Sequence, residues 1–433
     1  MKRFFIFFTA IILLNACRKD RKDKIFPEIK ILSPADYSDF TASDTIPVQA
    51  EVSDDRQISY IFVQLMDENM RPADKRLDIA SANQKQKTFS VGYVISNTDL
   101  SSGIYWLKIE ASDGVNVSKE YVQLYIYALP VEREGVVVVS QPSADNTLVD
   151  LLYVEDNSTV NLANLSNDFL DMAVSSKFHQ VVIIPEYYNK AAAIDARTQA
   201  IEWQITEAYN YPSPTFTSFY AFNNEYFTGI YQWGIKGYDE SGYNIYQIPF
   251  SNEISYALYK DEDYTFSVNQ ILGNNYMELV VYYAQSGSEK WRTSIDLDNR
   301  IEIFRRNATQ YFVFGNDANN QARVFLYDVS NGGYFEPYSF SAGFYLNDVE
   351  QISSDDFLIA ATGGIYMYEY NSSSVTNRIS AGDVSTVKVD TLNKQILFSE
   401  NNKLLFYGLT DYSSQGYYSH PYPIRDFEVL YTK

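Results

Sequence analysis

His179 and His420 are the only histidines in the 433-residue chain and Cys17 is its only cysteine, so the side chains that most often bind metals or act as nucleophiles are scarce. His179 stands in the turn Lys177-Phe178-His179-Gln180 and His420 beside Pro421, and no pair at helical spacing offers a zinc site or a catalytic triad. Both read as loop histidines. Carboxylates are plentiful, and Asp54-Asp55, Asp261-Glu262-Asp263 and Asp355-Asp356 are the closest groups. A pair of acids can serve glycoside hydrolysis or bind calcium, but a calcium loop needs oxygen ligands alternating around a glycine, which none of these segments supplies. They read as solvated turn acids, since Asp favours turns by bonding its own backbone. Asp54 and Asp55, with Asp113, are the best calcium candidates that remain. No Gly-rich phosphate loop is present. The expectation is a protein with no catalytic residue, no metal and no cofactor.

Aromatic surface is what the chain does offer: it holds 38 tyrosines. Flat rings stack on sugars and anchor protein interfaces. In a strand two neighbours point to opposite faces, so in an adjacent pair one ring is accessible. The pairs Tyr187-Tyr188, Tyr282-Tyr283 and Tyr417-Tyr418 are therefore the candidate binding residues. Tyr366, Tyr368 and Tyr370 alternate along one face of a strand.

The elements that position these residues begin with a leader. Lys2-Arg3, an apolar run from Phe4 to Leu14, and Asn15-Ala16 precede Cys17, which reads as a bacterial lipoprotein signal cut after residue 16, with lipid on Cys17. The apolar run is too short to span a bilayer as a permanent helix. Residues 17–26 are mostly charge and read as a tether. The formal net charge of -21 argues against nucleic acid and against charge-driven membrane binding, leaving the lipid as the attachment. With no second cysteine there is no disulfide framework.

Short alternating segments then run at Ile29–Leu32, Ile46–Val52, Ile58–Leu65, Gln86–Val94, Ile104–Ala111 and Val117–Ile126, the spacing of an antiparallel sandwich over 27–128. In the fifth segment Tyr105, Leu107, Ile109 and Ala111 form the better core face. Pro130 with the charges after it makes a hinge. From 135 to 433 a polar turn followed by an apolar strand recurs. His179-Gln180 leads into Val181, Asn223-Asn224 into Tyr226, Asn274-Asn275 into Tyr276, Asn307 into Tyr311, Asp355-Asp356 into Phe357, and Asn393-Lys394 into Ile396. The mean period is about 43 residues, the length of a four-stranded propeller blade. One strand left over at the C-terminus, Ile424–Tyr431, and three near residue 140 complete a seventh blade, which closes the ring and removes its open edges. Six or eight blades would follow from one misjudged unit, and the longest, from Glu253 to Asn299, is the one to watch.

Two resemblances follow from these residues. Pro27-Glu28-Ile29-Lys30-Ile31, Val52-Ser53-Asp54-Asp55 and Ala111-Ser112-Asp113-Gly114 resemble bacterial immunoglobulin-like or PKD-like domains. Asp195-Ala196 through Trp203, with Gln285 through Trp291 in the same frame, resembles the turn-then-tryptophan pattern of PQQ-like propellers, and the repeat length resembles WD40 propellers. The whole plan resembles Bacteroidota envelope lipoproteins, which implies an outer-membrane location, surface-exposed rather than periplasmic. The function expected is a binding or scaffold protein that recognises a glycan or a protein partner without catalysis. The alternatives are a propeller-type factor for assembly of outer-membrane proteins and a polysaccharide-active propeller enzyme, which needs acids converging in the central channel.

Overall fold

A period of two in the apolar residues runs through most of the chain, and the backbone forms strands joined by short turns, with no α-helix among the described residues. The computed structural model describes residues 23–80, 84–208, 212–274 and 276–433. The expected signal 1–16, Cys17 and most of the tether lie outside the described residues. No helix is long and apolar enough to cross a membrane among the residues described. The chain parts into two compact units, divided after Pro130.

In the first unit a three-stranded sheet pairs Glu28–Ser33, Thr45–Ser53 and Gln86–Val94. A five-stranded sheet orders Ser38–Thr41, Val117–Tyr127, Gly103–Ser112, Tyr60–Met66 and Leu77–Ile79. Both sheets feed one core, with Ile46, Val48 and Val52 from the first and Val63, Leu107, Ile109 and Leu124 from the second. The face carrying Tyr105, Leu107, Ile109 and Ala111 is buried, as its alternation predicts. The strand Ser38–Thr41 runs parallel to its partner.

The second unit is a succession of antiparallel sheets, each built from consecutive strands. Four are simple four-stranded meanders: Asp171–Ser175 to Ile201–Thr206, Phe216–Phe222 to Asn244–Pro249, Glu253–Lys260 to Glu289–Ile295, and Asn299–Arg305 to Gly333–Ser339. A six-stranded sheet runs from Leu346–Gln351 to Ser414–Ser419 and contains two long strands. Asp356–Glu369 reverses on itself at Gly363 and Gly364, both at positive φ, so that the Tyr370 amide donates to the Asp355 carbonyl at 2.9 Å. Ser374–Asp390 pairs back to Thr362–Glu369 through its first part and forward to Gln395–Glu400 from Val384 onward.

The remaining sheet joins the two ends of the unit: Ile424–Tyr431 pairs with Arg133–Ser143, followed by Asn146–Tyr153 and Ser158–Leu165. The first strands of successive sheets touch in a closed cycle, from Ile424–Tyr431 through Asp171–Ser175, Phe216–Phe222, Glu253–Lys260, Asn299–Arg305, Leu346–Gln351 and the Ser374–Asp390 strand, and back to Ile424–Tyr431. Consecutive antiparallel sheets in a closed ring, with one sheet shared between the ends, make this unit a β-propeller.

One detail recurs. The pairing of third with fourth strand slips by a residue at Ala193/Ile194, Gly237/Tyr238 and Val281/Tyr282, each time beside the turn that joins them. The bulge sets Trp203 and Trp291 against the next sheet, where their indole N–H groups donate to the carbonyls of Glu240 at 2.8 Å and Val329 at 2.7 Å. Gly242 and Gly332, at φ 79° and 72°, lie under the two indoles, and a Cβ at either position would stand 2.9 Å from the ring.

The repeat holds with one correction. Four of the six turns named from sequence precede the second strand of a sheet and Asn393-Lys394 precedes Gln395–Glu400, the fourth strand of the six-stranded sheet, but Asn274 lies between the second and third strands of its sheet. The equivalent turn there is Asp261-Glu262-Asp263, before Tyr264–Ile271. The long stretch from Glu253 to Asn299 is an ordinary four-stranded sheet misread by one turn.

Candidate functional site

The first strand of each propeller sheet has one edge without a strand partner, and the polar residues of these strands meet at the centre of the ring. Asp171, Glu302, Asp348, Glu350, Asp426 and Glu428 all lie on such strands, with Lys388 among them. The Lys388 ammonium stands 2.6 Å from the Glu428 carboxylate. Several of these acids reach across to the next inner strand: Glu302 accepts the Val349 amide of the next sheet at 3.2 Å, and within the six-stranded sheet Asp348 accepts that of Val387 on Ser374–Asp390 at 2.7 Å and Glu350 that of Val389. They satisfy main-chain N–H groups that the open inner edge would leave unpaired.

Burial, and after it the crowding of like charge, shifts Asp171, Glu302, Glu350, Asp426 and Lys388. Burial pushes the Asp171 and Glu350 carboxyls up to about 7, and neighbouring carboxylates add to it. Glu302 is held well above the usual carboxylate range by burial and then by Asp348, with which it is hydrogen-bonded. Asp426 is also held well above that range, by burial first. Burial pulls the Lys388 ammonium down, but Glu428, Asp348 and the other acids outweigh this and hold it well above its ordinary value.

At the end of the ring where the first strands begin, a second group gathers. Asp168 accepts the amides of Tyr187 at 2.8 Å and Tyr188 at 3.3 Å, which fixes the turn after Gln180–Ile184. The Tyr187 phenol is raised by the Glu186 carboxylate beside it, to which it is hydrogen-bonded, and Glu186 is itself raised by burial and by Asp168. Tyr256, on the first strand of its sheet and 43 % exposed, is raised by partial burial and by Tyr231, Asp298 and Glu186. Tyr187, Tyr231 and Tyr256 with Asp168, Glu186 and Asp298 thus form one phenol and carboxylate cluster. Phenols donate and carboxylates accept hydrogen bonds, and within this cluster Tyr187 is already bonded to Glu186 while Asp168 accepts two main-chain amides.

The candidate tyrosines are not brought together. Tyr187 is exposed and Tyr188 half-buried in that turn. Tyr282 is only 4 % exposed and packs on Phe250 with centroids 6.4 Å apart, so it is a core residue and not a binding residue, its strand being covered on both faces. Tyr283 is exposed and lies at the opposite end of its sheet, 6.1 Å from Tyr264. Tyr417 is exposed on the edge strand Ser414–Ser419, and Tyr418 beside it is half-buried, its ring 6.2 Å from His420. Tyr366, Tyr368 and Tyr370 pack inward on Phe344, Phe357 and Phe312. Tyr231 and Tyr256 escaped the sequence reading because neither sits in a tyrosine pair.

Both histidines lie in turns but are buried. His420 is 3.0 Å from the Asp150 carboxylate, and the Tyr422 amide donates to its Nδ1 at 3.1 Å. His179 is 3.1 Å from Glu134. Asp261 differs from the expected solvated turn acid. It is 2 % exposed and accepts the Tyr311 hydroxyl at 2.7 Å and the Arg305 guanidinium at 3.2 Å. Asp54 and Asp113 serve their own turns, accepting the amides of Arg56 and Asn116. No group of three or more His, Cys, Asp or Glu able to hold a metal occurs among the described residues.

No family model matches the sequence, and no curated protein does. Among solved structures the chain is similar to a quinoprotein alcohol dehydrogenase-like protein of Bacteroides thetaiotaomicron, with a TM-score of 0.49 at 11 % identity over 94 % of this chain and 99 % of that one. It is similar to Sqt1 of Saccharomyces cerevisiae, with a TM-score of 0.45 at 12 % identity over 70 % and 91 %. A third is the Pan2 WD40 domain of Neurospora crassa, with a TM-score of 0.42 at 11 % identity over 62 % and 91 %.

Proposed function

We propose that the chain is a noncatalytic binding protein of the bacterial cell envelope, anchored through lipid on Cys17 in the outer membrane and facing outward. In this reading an immunoglobulin-like spacer carries a seven-bladed propeller, and the propeller recognises a glycan or a protein partner at the mouth of its channel. The observation that supports the reading is the cluster of Tyr187, Tyr231 and Tyr256 with Asp168, Glu186 and Asp298, which offers aromatic faces and oriented polar groups in one place. Ligand is sought with a glycan array and with pull-down from envelope extract. Substituting both Tyr187 and Tyr256 by alanine is expected to weaken the captured ligand at least tenfold, while Tyr243→Ala, at an exposed site elsewhere on the propeller, has no effect. Equal binding by all three proteins would refute it.

The convergence of acids in the channel favours a second reading, cleavage of polysaccharide. Its geometry speaks for the first. A glycosidase holds its two carboxyls about 5–9 Å apart with the sugar between them, whereas Glu302 and Asp348 are hydrogen-bonded to each other and to main-chain amides. Release of reducing sugar from a neutral polysaccharide, abolished by Glu350→Gln, would reverse this preference.

A further inference from the structure

Away from the propeller, the outer face of the five-stranded sheet in the first unit carries a row of aromatic residues that the core does not explain. Along Val117–Tyr127, Val122, Leu124 and Ile126 point into the core, which turns Gln123, Tyr125 and Tyr127 outward. Tyr125 stands abreast of Ile104 on one neighbouring strand and of Asp39 on the other. The Tyr125 and Tyr127 rings meet edge to face at 4.8 Å and 60°. Tyr37 closes the end of the row: its amide donates to the Gln123 carbonyl at 2.7 Å, and its ring is 72 % exposed. Its φ of 63° is a conformation that a bulky side chain seldom adopts and that costs free energy to hold. Together these residues enclose a concavity of about 340 Å³.

We propose that this groove binds a neutral saccharide, independently of the propeller. The rings supply flat apolar faces for the C–H side of a sugar. Asp39 and Gln123 supply an acceptor and an amide for its hydroxyls, and neither side chain is hydrogen-bonded or ion-paired to another residue among those described. Size selects a small ligand: the volume is at the lower end of ligand sites, about 300 Å³ upward, whereas a protein partner needs about 800 Å² of surface on each side. Charge excludes an acidic glycan or a phosphate, because Asp39 lines the groove and the chain carries a formal charge of -21.

The test is native affinity electrophoresis of the whole chain through gels containing soluble starch, mixed-linkage β-glucan, arabinoxylan or mannan, with polygalacturonate as the anionic control. At least one neutral polysaccharide is expected to retard the protein. Tyr125→Ala with Tyr127→Ala should weaken the retardation tenfold or more, and Gln123→Ala, a milder change on an exposed face, should weaken it severalfold with the unfolding midpoint unchanged. The Tyr243→Ala protein, altered at an exposed site outside both clusters, should be retarded like the wild type. No retardation by any neutral polysaccharide would overturn the proposal, as would retardation indifferent to Tyr125, Tyr127 and Gln123. Retardation lost only in the Tyr187 and Tyr256 variants would remove this groove and leave the propeller mouth as the site.

Discussion

Replacing Lys388 by methionine keeps the length of the side chain and removes the cation that stands among six channel carboxylates. The contact with Glu428 at 2.6 Å is worth about 6 kcal/mol of gross attraction at an effective dielectric of about 20. Much of that is offset by the desolvation of both groups. Stripping one partner from a fully buried pair costs about 3–5 kcal/mol, and since the Lys388 side chain keeps about a quarter of its exposure, channel water should reduce this to about 2–4 kcal/mol at pH 8. The pH dependence gives the sharper test. Asp171 and Glu350 titrate near 7 in the folded protein, against about 4 when unfolded, so between those values the folded state holds more protons and their contribution to stability is lost as pH rises through 7. Without Lys388 these carboxyls rise further. The deficit of the variant should therefore be smaller at pH 5, where Asp171 and Glu350 are protonated, and open as pH rises. Urea unfolding at pH 5 and pH 8, followed by tryptophan fluorescence in a Trp106→Phe background so that the propeller's Trp203, Trp233 and Trp291 report, measures both quantities. A deficit below about 0.5 kcal/mol at pH 8, or one equal at the two pH values, would refute the account of the channel.

Three further outcomes are expected. Gly242→Ala forces a Cβ to within 2.9 Å of Trp203 at a φ of 79°, and should cost about 1–3 kcal/mol in urea unfolding. Tyr311→Phe keeps the ring against Phe266, 4.4 Å away, but removes the hydroxyl donated to the buried Asp261, with an expected loss of about 1.5–3 kcal/mol. A chain ending at Pro423 lacks Phe427, Val429 and Leu430 from the core and the strand that closes the ring. At about 1.5–3 kcal/mol for each buried side chain the loss rivals the whole stability of a typical domain, so the product should be insoluble or aggregate through its open edge in size-exclusion chromatography.

Local pattern made most strands legible. Gln86–Val94 is bounded in the sequence as it is in the fold, because a strand with one face buried writes its period of two directly into residue type. The repeat was legible for the same reason, and Trp203 and Trp291 marked its frame because each docks on a turn of the next sheet. The slip at Asn274 came from judging turns by composition alone. Asn274 and the Asp261 turn are both polar, but only the second carries a buried residue, Asp261, tied to Tyr311 and Arg305, which no local window reveals.

The channel was illegible for a different reason. Asp171, Glu302, Asp348, Glu350, Asp426 and Glu428 come from four sheets and lie up to 257 residues apart, each alone in its segment or two residues from one other acid. Adjacent acids drew attention instead, although neighbours in a strand point to opposite faces and cannot share a channel. Where one strand supplies two channel acids they have i and i+2 spacing, as in Asp348 and Glu350 or Asp426 and Glu428, which leaves both on the same face of a strand whose inner edge is open. That edge has unpaired amides, and a carboxylate reaching across to the next sheet satisfies them while drawing two sheets together, as Glu302 does with Val349. Each acid placed this way raises the cost of the next, so a chain that seals its ring with carboxylates needs a central cation, and Lys388 occupies that position.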